Sequence, residues 1–325
     1  MRRGSRQAVG QGHHVRVVTL PPNRTERDGG FAPGAQLAWW RGWGPLLFLP
    51  GMVLLAAPRS WPRWAVMWAL AFALYVGCKW LTWRRTPVQD VPAWRHLAYL
   101  LAWPGMDAAA FLNLRAGSPK PAAREWLFAT VRLCLGFGTL FGAARLVSPR
   151  FPYLAGWVGM VGVILVLHFG TFHLLSCVWR GAGVQASPLM DRPLASASLA
   201  EFWDRRWNTA FRDLTRRFLF RPFTAWIGPR PAVLAAFLCS GLVHELVISV
   251  PAGGGYGGPT LFFAVQGVAV LMERAHRARR TRLRRGWAGR LFAVLVLVVP
   301  AYALFHPPFV LGVVLPFIRA LGGVS

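Results

Sequence analysis

The sequence is poor in charged residues, and acidic residues are especially rare. Only 15% of its 325 residues are charged, 11 Asp and Glu stand against 37 Lys and Arg, and 55% of the residues are hydrophobic. This composition excludes an ordinary soluble domain and is typical of a polytopic membrane protein. The formal net charge of +26 comes mostly from arginine. Because the arginines lie between apolar runs, they favour a role in topology and contact with anionic lipids, and not nucleic acid binding.

Cysteine is scarce as well, and no two cysteines form a CxxC pair. The four residues lie within or near apolar runs: Cys78, Cys134, Cys177 and Cys239. This placement predicts small packing residues and excludes a disulfide framework or a thiolate metal site.

Several motifs are missing. No Gly-x-Ser-x-Gly stretch is present, which argues against a serine hydrolase. The glycine-rich residues 252–258 lack the Gly-Lys-Ser/Thr ending of a phosphate loop and predict a tight interhelical loop. Residues 1–40 lack the compact apolar core of a cleavable signal peptide. They predict a disordered basic tail, followed by a single membrane domain over residues 41–325.

Apolar runs of about the length of a membrane span recur along the chain. They lie near residues 44–57, 64–82, 126–147, 153–179, 231–250, 260–273, 290–305 and 309–322. A further stretch, residues 96–114, is interrupted by Pro104, Gly105 and Asp107, which predicts a re-entrant or interfacial segment. We therefore expect an all-α, polytopic integral membrane protein with about eight transmembrane helices and one re-entrant segment.

Arginine placement predicts the orientation. The loops around residues 180–230 and 274–290 are rich in arginine, so we expect them, and the basic N-terminal tail, on the cytoplasmic side. Arg59 and Arg63 do not fit this scheme, because they fall in a loop expected outside.

Two ionisable residues, His244 and Glu245, lie side by side within the apolar run 231–250. Such residues are costly to bury in a bilayer, so they indicate a functional site. On a helix, Glu245 points about 100° away from His244, and we expect it to pair with an arginine of another span. Ser240 shares the face of His244 one turn earlier; it either contacts the ring or, the favoured alternative, caps a backbone carbonyl.

The segment Ser198–Arg221 predicts a cytoplasmic amphipathic helix. Ser198 and Glu201 have the spacing of a capping box, and apolar residues then recur at helical spacing, with Asn208 on the opposite, polar face. Taken alone, such a segment is typical of a membrane-surface helix whose arginines contact lipid phosphates.

Two stretches resemble a known family. Residues 202–208 read FWDRRWN, and His-Glu-Leu follows at residues 244–246, so that His244 lies 36 residues after Asn208. This arrangement is similar to the signature of the membrane-bound O-acyltransferase superfamily, in particular its wax-synthase-like branch. The AWPGMD stretch at residues 102–107 also resembles that branch. The likeness is specific over about residues 185–275.

The resemblance implies transfer of a fatty acyl group from acyl-CoA to the hydroxyl of a long-chain alcohol or another lipophilic acceptor, as in wax ester synthesis. It makes His244 the general base and Asn208 its polar partner. A neutral imidazole suits this role, because its unperturbed pKa of about 6.5 lies close to working pH. An amide such as Asn208 is able to stabilise an oxyanion without bringing a charge into the membrane.

Substrate-binding residues are expected around this pair. They are Trp203, Arg205, Arg206, Trp207, Arg212 and Ser240. The arginines would attract the phosphates of coenzyme A. Acyl-CoA is expected as a co-substrate, with no cofactor and no metal.

Two further histidines, His168 and His173, lie five residues apart and do not share a helix face as a metal-binding pair would. No carboxylate lies near them in the sequence. We expect them to be structural or to line a cavity.

One distance is difficult to reconcile with the pairing. His244 lies about 13 residues into its span, roughly 20 Å from the cytoplasmic boundary, whereas Asn208 belongs to a cytoplasmic segment. The two meet only if this segment dips inward or a deep funnel connects them. Two other functions stay open: a transporter or channel that uses His244 and Glu245, and a non-catalytic lipid-binding membrane protein.

Overall fold

The computed structural model describes residues 42–88, 90–115, 117–278 and 287–324, and within these ranges the regular structure is helical throughout. The predicted disordered tail, residues 1–40, lies outside the described residues. The same is true of residues 279–286 in the arginine-rich loop 274–290.

The helices follow the predicted apolar runs. In chain order they are α1 (Gly44–Ala56), α2 (Arg63–Arg84), α3 (Ala93–Ala102), α4 (Ala108–Leu112), α5 (Ala123–Leu146), α6 (Pro152–Gly181), α7 (199–206), α8 (209–227), α9 (Pro229–Ala252), α10 (Gly258–Ala278), α11 (Trp287–Leu304) and α12 (Pro307–Ala320). Five described helices are long and apolar enough to cross a membrane: α2, α5, α6, α9 and α11. The all-α membrane fold is therefore confirmed, and the count of eight spans stays a prediction.

Neighbouring helices approach closely where glycine removes the side chain. A β-carbon on Gly77 of α2 would lie 2.5 Å from the Cα of Leu46 in α1, and one on Gly241 of α9 would lie 2.8 Å from the Cα of Thr260 in α10. Helices in lipid have no hydrophobic driving force for association, and close packing at small residues stabilises their contact instead. The outer surface is apolar, and Leu55 and Leu146 are each 87% exposed.

Two predicted loops have the expected form. Residues 253–257 connect α9 to α10, with positive φ at Gly253, Gly255 and Gly257, so the tight interhelical loop is confirmed. The stretch 96–114 is broken as expected, because α3 ends at Ala102 and α4 begins at Ala108. The course of that stretch relative to the bilayer stays a prediction.

Arg63, which does not fit the predicted topology, has a structural partner. Its guanidinium donates to the carbonyl oxygen of Ala252 at the C-terminal end of α9, over 2.8 Å. A cation at a helix C-terminus is favourable because the last carbonyls there have no partner within the helix. This contact gives Arg63, the first residue of α2, a structural role that is independent of topology.

All four cysteines are unpaired, as expected. Cys78 and Cys177 are buried, whereas Cys134 is exposed. Cys177 departs from a purely apolar role, since its sulfur accepts a hydrogen bond from Arg180 at 3.6 Å.

Candidate functional site

His244 is the last residue of the α-helical part of α9, and a π-helical turn, Glu245–Ser249, follows it. Its Nδ1 lies 2.7 Å from the carbonyl oxygen of Ser240. A carbonyl only accepts, so Nδ1 carries the proton and donates it. The other ring nitrogen, Nε2, therefore keeps its lone pair, and it has no hydrogen bond with any described residue. This tautomer is the one that a general base at Nε2 requires.

The hydroxyl of Ser240 turns away from this ring. It donates to the carbonyl oxygen of Ala236 over 3.1 Å, so Ser240 caps its own helix, as favoured from the sequence. What Ser240 contributes to His244 is its backbone carbonyl. Its assignment as a substrate-binding residue stays a prediction.

Glu245 does not have the partner expected for it. Its Oε1 accepts from the backbone N–H of Thr260 at 3.0 Å and from the Thr260 hydroxyl at 2.9 Å. No arginine in the described ranges pairs with it, so the expectation of an arginine partner is wrong. Thr260 lies in the first turn of α10, where unpaired N–H groups and the helix dipole attract an anion. The N-terminus of α10 thus takes the place of the expected cation.

The segment predicted as one amphipathic helix, Ser198–Arg221, begins as expected and then breaks. The Ser198 side chain accepts from the backbone N–H of Glu201 at 3.1 Å, which confirms the helix start. After a π-helical turn, Trp207 is extended and Asn208 has φ 41° and ψ 63°. The single-helix prediction is therefore wrong, because helix α7 ends at Arg206 and α8 begins at Thr209.

Asn208 occupies the left-handed conformation that asparagine tolerates better than most residues. Its backbone N–H donates to the sulfur of Met190 at 3.2 Å, and its carbonyl accepts from the N–H of Arg212 at 3.1 Å. Its side-chain amide makes no hydrogen bond within the described part of the chain. The break thus places the half-buried Asn208 at a corner between two helices.

Trp203 connects this segment to the surroundings of His244. Its ring packs against Phe263 at 5.9 Å between centroids, and the ring of His244 packs against the same Phe263 at 4.5 Å. The Trp203 Nε1 also donates to Oε1 of Gln266, a fully buried residue of α10, over 3.2 Å.

The same segment contacts α10 at two separate turns. The backbone N–H of Ala200 donates to the carboxylate of Glu273 at 2.8 Å, whereas the ring of Trp203 packs against Phe263. These two residues of α10 are ten positions apart, about 15 Å along a helix axis, so side chains connect the short helix α7 to both turns. No hydrogen bond or ring contact joins Asn208 to His244 among the described residues.

Trp207 packs against His168, one of the two histidines expected to be structural or to line a cavity. The ring of Trp207 stacks on that of His168, with 6.5 Å between centroids and 13° between planes, and on that of Phe202 at 5.4 Å. Trp207 thus anchors the break at Asn208 against helix α6.

The arginines of the motif have different surroundings. Arg205 is exposed and lines a cavity. Arg206 is held by two hydrogen bonds to Oε1 of Glu201, at 2.8 and 2.6 Å, and by one to the carbonyl oxygen of Asp191. Arg212 lines the same cavity and bonds the carboxylate of Asp213 at 2.8 Å.

Two carboxyl groups near these arginines have shifted pKa values in opposite directions. The N–H of Ala197 and the guanidinium of Arg206 hold the pKa of the Glu201 carboxyl below its usual value. Burial raises the pKa of the Asp213 carboxyl, although Arg212 opposes this effect. Both ion pairs have an N–O distance of 2.6 Å, so the opposite pKa shift of Asp213 comes from its burial.

The cavity has a volume of about 710 Å³ and was not predicted. One wall is the interrupted AWPGMD stretch, and the other carries the start of α8. Its charged and polar lining includes Asp107, Arg124, Glu125, Arg132, His173, Gln185, Asp191, Arg192, Arg205, Thr209, Arg212 and Asp213. Five arginines and four carboxylates line it, and two of the arginines pair with lining carboxylates. The other three, Arg124, Arg132 and Arg205, form no ion pair within the described ranges and are suited to an anionic ligand. Two of its lining residues, Arg205 and Arg212, are among those expected from the sequence to attract the phosphates of coenzyme A.

His173 lines this cavity, in agreement with the sequence-based expectation. No carboxylate is near His173 in the sequence, but the expectation that none completes its surroundings is wrong, because Glu125 of α5 places Oε2 4.0 Å from Nε2 of His173. Glu125, His173 and Cys177 have the atoms of a metal-ligand set within 4.8 Å. Arg180 donates to Glu125 at 2.6 Å and to Cys177 at 3.6 Å. A guanidinium therefore already compensates these groups.

Comparison with known proteins supports the predicted family. Residues 186–265 match the sequence model of the membrane bound O-acyl transferase family. This segment contains FWDRRWN, Asn208 and His244. The resemblance to the wax-synthase-like branch of that family is confirmed over this segment.

Similar proteins carry names of the same kind. The chain is 31% identical over 136 residues to "Probable long-chain-alcohol O-fatty-acyltransferase 2" of Arabidopsis thaliana, covering 38% of this chain and 39% of that protein. It is 31% identical over 144 residues to "Long-chain-alcohol O-fatty-acyltransferase" of Simmondsia chinensis, covering 39% and 40%. The matches span about two fifths of the length of these relatives.

Proposed function

Starting from this family relationship, we propose that the protein is an integral membrane O-acyltransferase that moves a fatty acyl group from acyl-CoA to the hydroxyl of a long-chain alcohol. The observation that carries the proposal is the ring of His244. Its Nδ1 is committed to the Ser240 carbonyl, which leaves Nε2 as a proton acceptor. The names of the similar proteins support the reaction class.

In the proposed reaction, Nε2 of His244 removes the hydroxyl proton as the alcohol oxygen attacks the thioester carbon. A C–O bond forms, and the carbonyl oxygen becomes an oxyanion that receives a hydrogen bond from the Asn208 amide. Collapse of this intermediate breaks the C–S bond. The leaving thiolate takes the proton back from His244, so the base is regenerated and no proton is gained or lost overall.

The acyl donor would bind with its phosphates in the arginine-lined cavity. Arg124, Arg132 and Arg205 line it and form no ion pair within the described ranges. Phosphate oxygens are strong acceptors for such guanidinium groups. The acyl chain and the alcohol would lie among the apolar helices near Phe263.

The test is an acyl-transfer assay on detergent-purified protein, with labelled palmitoyl-CoA and a panel of long-chain alcohols, diacylglycerol and sterols. We expect ester from wild type and a loss of about 100-fold to 10,000-fold in His244→Ala, the usual range for removal of a general base. His276→Ala is the matched control, because His276 also places Nδ1 near the carbonyl four residues earlier, at 2.9 Å, but is exposed.

The control should retain wild-type turnover. Wild-type turnover by His244→Ala would contradict the mechanism. Flux of a substrate across proteoliposomes without any covalent product would contradict the whole proposal and favour the transporter that the sequence left open.

A further inference from the structure

The loop at residues 103–107, between α3 and α4, is an irregular backbone inside a helical protein. Trp103 and Met106 are each only 3% exposed. Non-helical backbone of this kind needs internal partners for its carbonyl groups, because lipid offers none. The loop also forms a cavity wall, through Trp103, Gly105, Met106 and Asp107. The groups that hydrogen-bond to the carbonyls of this loop therefore hold this part of the cavity wall in place.

Side chains from two helices supply the partners. Trp179 of α6 donates to the carbonyl oxygen of Ala102 at 3.0 Å, where α3 ends. The hydroxyl of Tyr75 in α2 donates to the Trp103 carbonyl at 3.1 Å. One turn further along α2, the Lys79 ammonium donates to the Gly105 carbonyl at 2.7 Å.

Lys79 is the unusual member of this set. It is 2% exposed, its Nζ lies 3.3 Å from the centroid of the Tyr99 ring, and no carboxylate pairs with it in the described ranges. An ionisable residue inside a span is costly and indicates a function. The chain otherwise prefers arginine, since its only lysines are Lys79 and Lys120. A compact ammonium suits one carbonyl beneath an aromatic ring better than the planar fork of arginine does.

We propose that Lys79 is a positioning residue for the acyl donor: its Nζ holds the Gly105 carbonyl and thereby keeps the loop 103–107 in place as part of the wall of the cavity that Arg205 and Arg212 also line. The identity of the ligand rests on the proposed function, whereas the hold on the loop rests on the contacts alone. Lys79 acts on the donor through the loop, and no contact with the alcohol is assigned to it.

The experiment compares three variants of α2 in purified full-length protein. Lys79→Met removes the Nζ donor at similar side-chain length. Tyr75→Phe removes one hydroxyl from the same loop. Thr82→Val is the matched control, because Thr82 bonds the Tyr99 hydroxyl at 2.7 Å without contacting the loop. Two quantities are measured: deuterium exchange of the backbone amides around residues 103–112, and separate KM values for palmitoyl-CoA and alcohol.

For Lys79→Met we expect exchange to become faster and the KM for palmitoyl-CoA to rise about tenfold, as for the loss of one hydrogen bond to a buried carbonyl. The KM for alcohol and kcat should change by less than about threefold, since neither depends on the loop directly. Tyr75→Phe should shift the same quantities in the same direction but less, and Thr82→Val should resemble wild type.

Equal increases of both KM values, or a Lys79→Met protein that matches Thr82→Val in exchange and in KM, would overturn the positioning role. A wild-type protein without transfer to any acceptor would instead overturn the proposed function. In that case, deuterium exchange of the loop amides would still test whether Lys79 holds the loop. Exchange that is unchanged in both Lys79→Met and Tyr75→Phe would overturn this structural role as well.

Discussion

The carbonyl oxygen of Ser240 lies 2.7 Å from Nδ1 of His244, one helical turn away. Because the partner is backbone, the tautomer of the ring does not depend on which side chain stands at position 240. Active sites that use a carboxylate to orient a histidine are sensitive to its removal, whereas a backbone carbonyl is not lost by substitution.

This relationship gives a first prediction. Ser240→Ala should retain kcat within about threefold of wild type, because the carbonyl that orients His244 stays in place, and loss of a substrate contact by the hydroxyl would appear in KM. The measurement is steady-state transfer to a long-chain alcohol, with His244→Ala alongside. A loss in Ser240→Ala comparable to that of His244→Ala would mean that the hydroxyl contacts a substrate.

A second prediction separates the amide of Asn208 from its backbone. Asn208→Gly keeps the left-handed conformation available and removes the amide, so kcat should fall about 100-fold, as for loss of an oxyanion donor. Asn208→Ala should lose the same activity and, in addition, about 1 kcal/mol of stability, because a β-carbon is disfavoured at positive φ. Thermal unfolding and kcat are measured on both. Full activity of Asn208→Gly would remove Asn208 from the mechanism.

A third prediction compares neighbouring arginines. Arg205→Ala should raise the KM for acyl-CoA about tenfold with little change in Tm, because Arg205 is exposed at the cavity. Arg206→Ala should lower stability by about 1–3 kcal/mol, since it leaves Glu201 without its ion pair at 2.6 Å. Assays at low and high salt supply the check, because the wild-type KM should rise with ionic strength more than that of Arg205→Ala. A raised KM in Arg206→Ala together with a lowered stability in Arg205→Ala would show that Arg206 is the residue that contacts the donor.

A fourth prediction concerns acid. The pKa of Glu201 is lowered in the folded protein, so its ionised form contributes stability above the unfolded value of about 4.3 and loses it as the pH falls further. Glu201→Gln should therefore be about 1 kcal/mol less stable than wild type at pH 7 and nearly equal to it near pH 3.5. Thermal unfolding at both pH values is the measurement. A constant difference between the two proteins would exclude ionisation of Glu201 as the cause.

Local signals in the sequence were sufficient for several features. The Ser198 and Glu201 spacing predicted the helix start, and the glycines at 253–257 predicted the tight loop, because both depend on residues within a few positions of one another. The span around His244 was also predictable, since it depends only on a continuous apolar run.

Other features depend on structure that periodicity does not reveal. The π-helical turn at Phe202–Arg206 changes the helical register just before Trp207, so a fixed advance of about 100° per residue misplaced Asn208 on a continuous helix. The partner of Glu245 is Thr260 at the start of α10, through its backbone N–H and its hydroxyl, and neither group carries a charge that would have indicated the pairing in the sequence.

The cavity was unpredictable for a related reason. Glu125 and His173 belong to α5 and α6, 48 positions apart, and approach only because the two helices pack together. A charge pattern in the sequence reports only on residues that are close along the chain. A cluster formed by two separate helices therefore has no contiguous pattern from which it could be predicted.

The loop at 103–107 is held from α2 and α6, by residues up to 77 positions away in the sequence. The conformation of this loop therefore depends on residues outside its own sequence. Transplanting AWPGMD into another helical protein would carry over the turn but not its geometry, unless Tyr75, Lys79 and Trp179 were transplanted as well. In evolution, these three positions and the loop would be under one joint constraint, and a change in the loop backbone would be tolerated only with a matching change on α2.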